Sequence, residues 1–225
     1  LRRAGALGQQ LKEAWRLDEF RLEALLQLNQ MFGASIRELT DFAMEEAIRL
    51  TQSTIGYVAF ANEDESVLTM YSWSRRAMEE CEIIDKPIHY PVEDTGLWGE
   101  AVRQRKPVIT NDYETPNPLK KGYPEGHVAV QRHMNLPIFD GDRVVVVAGV
   151  GNKREPYDES DVRQLSLLMD GMWKILKGKK AEIKLRKSEE RYRLLADNAM
   201  DTIWIIQLPD LNLCYVSPSI RSLLG

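Results

Sequence analysis

The hydrophobic positions follow two different periods along this chain, and the change of period separates helices from strands. Over residues 11–31 apolar side chains recur at steps of three and four with charges between them, which predicts an amphipathic helix. A similar pattern predicts a second helix over residues 35–51. From residue 55 onward the pattern changes to short runs rich in β-branched and aromatic residues, which are typical of strands.

These short runs predict two β-hairpins. Residues 55–61 and 67–73 flank a polar turn, and residues 133–139 and 143–151 flank an Asp-Gly turn. The unbroken VVVVAGV of the last run predicts a central strand that is covered on both faces. Between the hairpins lies an irregular connection, residues 112–132, of a length that is typical of a functional lid or a mobile loop.

A long helix is predicted to begin at Asp158 as its N-cap, and it has an apolar ladder at alternating steps of three and four. Its seven positions are Val162, Leu165, Met169, Met172, Leu176, Lys179 and Ile183, and all of them except Lys179 are apolar. Such a narrow stripe on an otherwise charged helix is typical of a two-stranded coiled coil. We therefore expect a parallel homodimer through the connecting helices, assisted by residues 11–31.

Composition and charge narrow the classes of function. The 225 residues have a formal net charge of −4, so overall charge indicates no nucleic-acid partner. No uncharged apolar run reaches membrane-spanning length, so we expect no membrane segment here. Two cysteines, Cys81 and Cys214, are too few for a disulfide framework and suit a reducing, cytoplasmic location. The missing initiator Met suggests a piece of a longer protein.

Four segments resemble the GAF domain family and stand in the family's order across residues 22–176. The family's opening two helices and first strand are similar to LEALLQLNQMFGASIRELTDFAMEEAIRLTQSTIGYVAFANED. Its Gly-x-x-Gly helix and following strand are similar to PVEDTGLWGEAVRQRKPVITND. Its final hairpin resembles LPIFDGDRVVVVAGVGNK, and the start of its closing helix resembles YDESDVRQLSLLMDGM.

The end of the chain resembles the opening third of a PAS domain, in SEERYRLLADNAMDTIWIIQ and YVSPSIRSLLG. The two resemblances imply an α+β fold: a GAF-like antiparallel sheet with helices on both faces, flanked by long connecting helices, with a partial PAS opening at the C-terminus. The implied divisions are an N-terminal connector helix (1–21), a GAF domain (22–176), a helical linker (177–190) and a truncated PAS start (191–225).

The tandem implies a cytoplasmic sensory module of a signal-transduction protein, most often a sensor histidine kinase with its kinase domain outside this chain. Such a module binds a small ligand or cofactor, or senses redox state, and relays the change through its helical linker. No catalytic motif is present in the chain, so we expect no enzyme activity from it. Two alternatives stay open: a ligand-free dimerisation or spacer module, and a regulatory domain of a phosphodiesterase- or cyclase-type enzyme.

The family's cyclic-nucleotide motif is matched only in part. Asn152, Lys153 and Asp161 are kept, Tyr157 replaces a Phe, and the final Glu is missing. We interpret Asn152 and Lys153 as a strand-end cap and a local ion pair.

Six residues are candidates for a ligand or cofactor site: Cys81, His127, His133, Tyr71, Trp73 and Trp98. The aromatic side chains could line the pocket of a flat cofactor, although most such residues are core. We predict no metal site because the cysteine and histidines lack zinc-like spacing.

The cofactor itself is unknown, and haem or another tetrapyrrole is one hypothesis. Family resemblance places Cys81 in the region that covers the ligand pocket, where a thiol could ligate haem iron or act as a redox switch. Its acidic neighbours disfavour the thiolate, so a small buried hydrophobe is the simpler interpretation. His127 or His133 would be the partner ligand, because a neutral imidazole binds haem iron axially.

Overall fold

The computed structural model describes residues 2–80, 88–122, 127–199 and 201–221. Its helices are α1 (Arg2–Gln30), α2 (Ile36–Leu50), α3 (Arg75–Glu80), α4 (Glu100–Gln104) and α5 (Glu159–Asp197). Its strands are β1 (Ile55–Ala61), β2 (Val67–Trp73), β3 (His89–Pro91), β4 (Val108–Thr110), β5 (His133–Asp140), β6 (Arg143–Gly151), β7 (Trp204–Gln207) and β8 (Asn212–Val216). Two 3-10 turns, Val92–Asp94 and Leu97–Gly99, precede α4.

Local sequence signals account for where the main helices begin. Ser35 accepts a hydrogen bond from the backbone N–H of Glu38, whose carboxylate accepts one from the N–H of Ser35, so a capping box starts α2. Asp158 accepts hydrogen bonds from the N–H groups of Ser160 and Asp161. The predicted cap of α5 is therefore confirmed.

Strands β1 to β6 form one antiparallel sheet in the order β3-β2-β1-β6-β5-β4. The two predicted hairpins lie side by side because β1 pairs with β6. Val147 and Ala148, neighbours on β6, belong to two different apolar clusters, so the strand is covered on both faces as predicted. The α+β fold with an antiparallel sheet between helices is confirmed.

Helices α1, α2 and α5 cover the first face of the sheet. Gly171 on α5 faces Leu25 on α1, and a Cβ at Gly171 would collide with the Leu25 side chain. Glycine weakens a helix by about 1 kcal/mol relative to alanine, but here it lets two helices approach closely. The side chains of this layer that are almost fully buried include Leu28, Leu39, Met44, Leu165, Leu168, Met169, Met172 and Leu176.

The apolar ladder of α5 is used within the chain itself over much of its length. Leu165, Met169, Met172 and Leu176 are each 0% exposed and belong to the core of the first sheet face. The sequence pattern assigned these four side chains to the contact between two copies of a coiled coil. That assignment is wrong, because the chain buries them in its own core. The period of three and four fits packing on a sheet and on α1 as well as packing on a partner helix.

The chain consists of two compact units, one ending at Leu176 and one beginning at Lys177. In the second unit β7 pairs antiparallel with β8. Trp204, Ile205 and Leu213 are more than half exposed on this hairpin. Among the described residues, no helix has the length and hydropathy needed to cross a membrane.

The buried position of Met172 gives a first testable prediction. Met172→Glu places a carboxylate in the core, and we expect it to lower the free energy of unfolding by at least about 3 kcal/mol. Urea unfolding followed by circular dichroism measures this change.

Leu167→Glu is the matched control, because Leu167 lies on the same helix and is 43% exposed. We expect this variant to change the free energy of unfolding by no more than about 0.5 kcal/mol. If Met172→Glu keeps normal stability and loses only self-association, the side chain belongs to an interface between copies and not to the core.

Candidate functional site

The second face of the sheet has an apolar centre with a polar edge. Ala59, Leu68 and Val147 of the sheet pack there against Ala101 and Val102 of α4. The polar side chains lie toward the ends of β1 and β5, next to this apolar cluster. This is the face on which most of the described candidate residues meet.

Four strands contribute one row of neighbours on this face: Val108, Asn135, Gly149 and Tyr57. Because Gly149 has no side chain, the phenol of Tyr57 passes over β6 and donates a hydrogen bond to Oδ1 of Asn135 at 2.5 Å. A Cβ at position 149 would collide with the Tyr57 ring and with the amide oxygen of Asn135. Gly149 is therefore what allows the two side chains to meet.

Asn135 extends the contact to a histidine. Its Nδ2 lies 3.2 Å from Nδ1 of His133, two residues earlier on β5. Asn135 is 0% exposed, and both ends of its amide have partners, as a buried amide requires. Tyr57, Asn135 and His133 thus form one hydrogen-bonded chain, called the polar chain below.

The environment of the polar chain keeps its ends uncharged. Burial lowers the pKa of His133 from 6.5 to about 4; the hydrogen bond with Asn135 opposes this shift, and the charge of His127 adds to it. Burial also raises the pKa of the Tyr57 phenol far above its usual value. At neutral pH His133 is therefore a neutral imidazole and Tyr57 keeps its proton.

Aromatic rings surround the polar chain. Trp98, in the turn Leu97–Gly99, lies edge-on to Tyr57 at 5.8 Å between ring centroids and to Tyr90 at 5.2 Å. Tyr113, in the connection between the hairpins, lies edge-on to the His133 ring at 6.4 Å. Such geometries are favourable for aromatic pairs and give this end of the face flat apolar walls.

The structure brings together only some of the sequence candidates. Trp98 adjoins Tyr57, and His133 is linked to Tyr57 through Asn135. Exposed His127 is close enough for its charge to affect His133. Nδ1 of His127 lies 2.8 Å from the carbonyl oxygen of Val128. Cys81 lies outside the described residues.

Tyr71 and Trp73 are placed elsewhere. Tyr71 packs edge-on against Phe60 at 4.7 Å and belongs to the core under the helices. Trp73 pairs with Tyr57 in the strand register, but its side chain lines an open depression shared with Phe42 and Met78.

Sequence reasoning missed Asn135 and Gly149. Each had a signal, because an amide inside the apolar run 133–139 and a glycine inside VVVVAGV both break a strand pattern. Neither signal shows that the two residues lie side by side, because a register shift between Ile138 and Phe139 in the predicted hairpin decides which residue of β6 lies opposite Asn135.

The Asn152-Lys153 motif has the local role that the sequence predicts. Asn152 has φ 59° and accepts a hydrogen bond from the N–H of Gln131, so it closes the end of β6. Lys153 contacts both carboxylate oxygens of Asp161 at 2.7 Å in a largely buried ion pair. Both residues serve the junction between β6 and α5.

The lowered pKa of His133 predicts a specific loss of stability in acid. The unfolded chain protonates this imidazole below pH 6.5, whereas the folded chain does so only below about pH 4. The free energy of unfolding should therefore fall as the pH drops through this window, by up to about 3 kcal/mol from His133 alone.

His133→Gln is the reference, because glutamine does not titrate. Urea unfolding from about pH 7 to about pH 4.5 should give a steeper decline for the unmodified chain than for the variant. Carboxylates whose pKa is lowered, such as Asp18 and Asp112, also lose stability in acid, and their contribution to the pH dependence is the same in both proteins. Parallel stability curves would contradict the burial of a neutral His133.

Comparison with known proteins agrees with this architecture. A methyl sulfide methyltransferase-associated sensor of Methanosarcina acetivorans is 65% identical over 173 residues, which are 77% of this chain and 17% of that protein. The chain thus spans only a small part of that relative's length.

Solved structures show the same fold at low sequence identity. The GAF domain of a phosphoenolpyruvate-protein phosphotransferase from Coxiella burnetii has a TM-score of 0.57 at 12% identity, covering 72% of this chain and 95% of that one. Residues 122 to 287 of a methyl-accepting chemotaxis protein have a TM-score of 0.55 at 13% identity, covering 68% and 94%. The GAF domain family model itself matches residues 33–177. This chain therefore belongs to the GAF domain family.

Proposed function

We propose that this GAF domain is a sensory module of a larger signalling protein, and that it binds a small ligand or cofactor on the second face of its sheet. The 65% identical relative is named a sensor, and the match covers 17% of its length, as expected for one module among several. The module acts by binding and relay, and catalysis belongs to other parts of the protein.

The polar chain is the observation that carries this proposal. A sheet face that only packed against α4 would be most stable with apolar residues, yet Asn135 occupies a fully buried strand position there. Gly149 leaves space for the contact, and Trp98 and Tyr113 provide flat walls beside it. A few directed polar groups within an aromatic surround are typical of ligand sites.

The sheet also offers a route from this site to the helices. Asn135 and Gly149 on the second face alternate with Leu136 and Ala148, which pack under the helices on the first face. A ligand that shifts β5 or β6 therefore changes the packing beneath α5. Such a ligand moves the equilibrium only as far as its affinity differs between the two states.

For the ligand class we propose a tetrapyrrole, with haem as the first to test. His127 is the proposed histidine ligand; a carbonyl oxygen only accepts, so its contact with Val128 places an imidazole proton on Nδ1. Cys81 is the proposed thiol ligand. Bound haem would supply an iron centre that responds to redox state.

Haem titration tests this proposal. We expect the purified protein to take up one haem with a Soret band, and His127→Ala to shift the band and weaken affinity at least about tenfold. Cys81→Ala should also move the band if the thiol is a ligand.

His89→Ala is the matched control, since His89 is an exposed histidine that contacts Thr69 at the sheet edge. It should leave band and affinity unchanged. A protein that takes up no haem, or variants at 127 and 81 that both match the unmodified protein, would rule out haem ligation by these residues.

We infer a cytoplasmic parent protein of the sensor histidine kinase type, in which the segment 191–225 opens a PAS domain. The resemblance of this segment and its β7–β8 hairpin support that inference.

We further propose that the module forms a homodimer through its connecting helices. The buried ladder of α5 leaves an outward stripe on α1 as the contact: Leu11, Trp15, Leu22 and Leu26 are each more than half exposed. Charged residues flank this stripe, among them Lys12, Arg16, Glu19 and Glu23.

Trp15→Glu tests the dimer. Light scattering should give twice the chain mass for the unmodified protein at high micromolar concentration and the single mass for the variant. Glu19→Gln, beside the stripe, should stay dimeric. A monomeric unmodified protein would disprove self-association through this helix.

A further inference from the structure

The two histidines near the site have different neighbours at Nδ1. At His127 the Val128 carbonyl fixes the proton on Nδ1. At His133 the neighbour of Nδ1 is the Asn135 side chain, whose amide could present either its oxygen or its nitrogen. The contact of the same amide with Tyr57 shows which of its two atoms faces His133.

The distances along the polar chain favour one orientation. Tyr57 and Asn135 are 2.5 Å apart, which fits O–H···O geometry and is too short for N–H···O. The amide oxygen therefore faces Tyr57, and the amide nitrogen faces His133 at 3.2 Å. Since an amide N–H donates, Nδ1 of His133 must accept, and the imidazole proton is on Nε2.

We propose that Tyr57, acting through Asn135, fixes His133 as the Nε2–H tautomer, so that this imidazole serves the site as a hydrogen-bond donor to a ligand oxygen and not as a metal ligand. Nε2 has no hydrogen-bond acceptor among the described residues. The group it fits is a carboxylate or carbonyl oxygen of the bound molecule. This inference rests on the proposed ligand site. In it His127 binds the iron and His133 donates a hydrogen bond to an oxygen of the ligand.

Tyr57 and Gly149 are positioning residues in this arrangement. Tyr57 orients the amide, and Gly149 provides the space over β6 in which the two meet. Burial supports the same state, because it keeps His133 neutral and Tyr57 protonated. Only a neutral imidazole has a tautomer to select.

Nitrogen-15 NMR of the histidine rings tests the proposal directly in the ligand-free chain. At neutral pH we expect His133 to show the Nε2–H pattern and His127, in the same spectrum, the Nδ1–H pattern. Tyr57→Phe should turn His133 into a mixture of tautomers, whereas Tyr71→Phe, on the other face, should not. A His133 that carries its proton on Nδ1, or that ignores Tyr57→Phe, overturns the proposal.

Titration with protoporphyrin IX, with and without iron, tests the ligand side. His133→Phe should weaken the binding of both porphyrins by a similar factor, about tenfold, because the lost hydrogen bond is to a carboxylate that both porphyrins carry. His133→Gln, which keeps an N–H donor, should recover most of this affinity. If His133→Phe weakens the binding of the iron porphyrin alone, His133 is a metal ligand and the proposal is overturned.

The two measurements separate this inference from the proposed function. If neither porphyrin binds, the tetrapyrrole proposal fails, and the ring spectrum still decides whether the polar chain selects the tautomer of His133. If both bind and His133→Phe has no effect, the site holds a tetrapyrrole and the donor role is wrong.

Discussion

Strand β6 is buried on both faces along most of its length, and the first unit is arranged around it. Its neighbours β1 and β5 come from different hairpins, so the whole sheet depends on their pairing with this one strand. Alternation then sends Ala148 toward the helices and Val147 toward α4. A strand in this position has no face that water can solvate, which is why its sequence is almost continuously apolar.

The exceptions to this apolar rule are the residues of the site. Asn135 on β5 and Gly149 on β6 reduce the apolar surface that the sheet could bury, and each would be replaceable by a larger apolar residue if packing alone mattered. Together they admit the phenol of Tyr57 and satisfy a buried amide at both ends. Such a departure from the most stable sequence, shared by three neighbouring strands, is typical of a functional site.

Helix α5 combines two environments in one element. Up to Leu176 its apolar ladder belongs to the core, and beyond Lys177 most of its side chains are exposed. Because the first part packs under the same strands that carry the polar chain on their other face, the helix is suited to report changes at the site. The close approach of α1 at Gly171 ties the N-terminal helix into the same layer.

The sequence by itself determined the elements, since periodicity and turn residues act over a few positions. The capping residues of α2 and α5 and the Asp-Gly hairpin are local signals of this kind, and the ordered GAF-like segments indicated the fold. Contacts between residues that are distant in the sequence decided how these elements pack and which side chains meet. A three-four ladder is the same whether its partner is a sheet or a second helix, so only the tertiary structure assigned Met172 to the core. Tyr57 is far from Asn135 and Gly149 along the chain, and strand register makes the three residues neighbours.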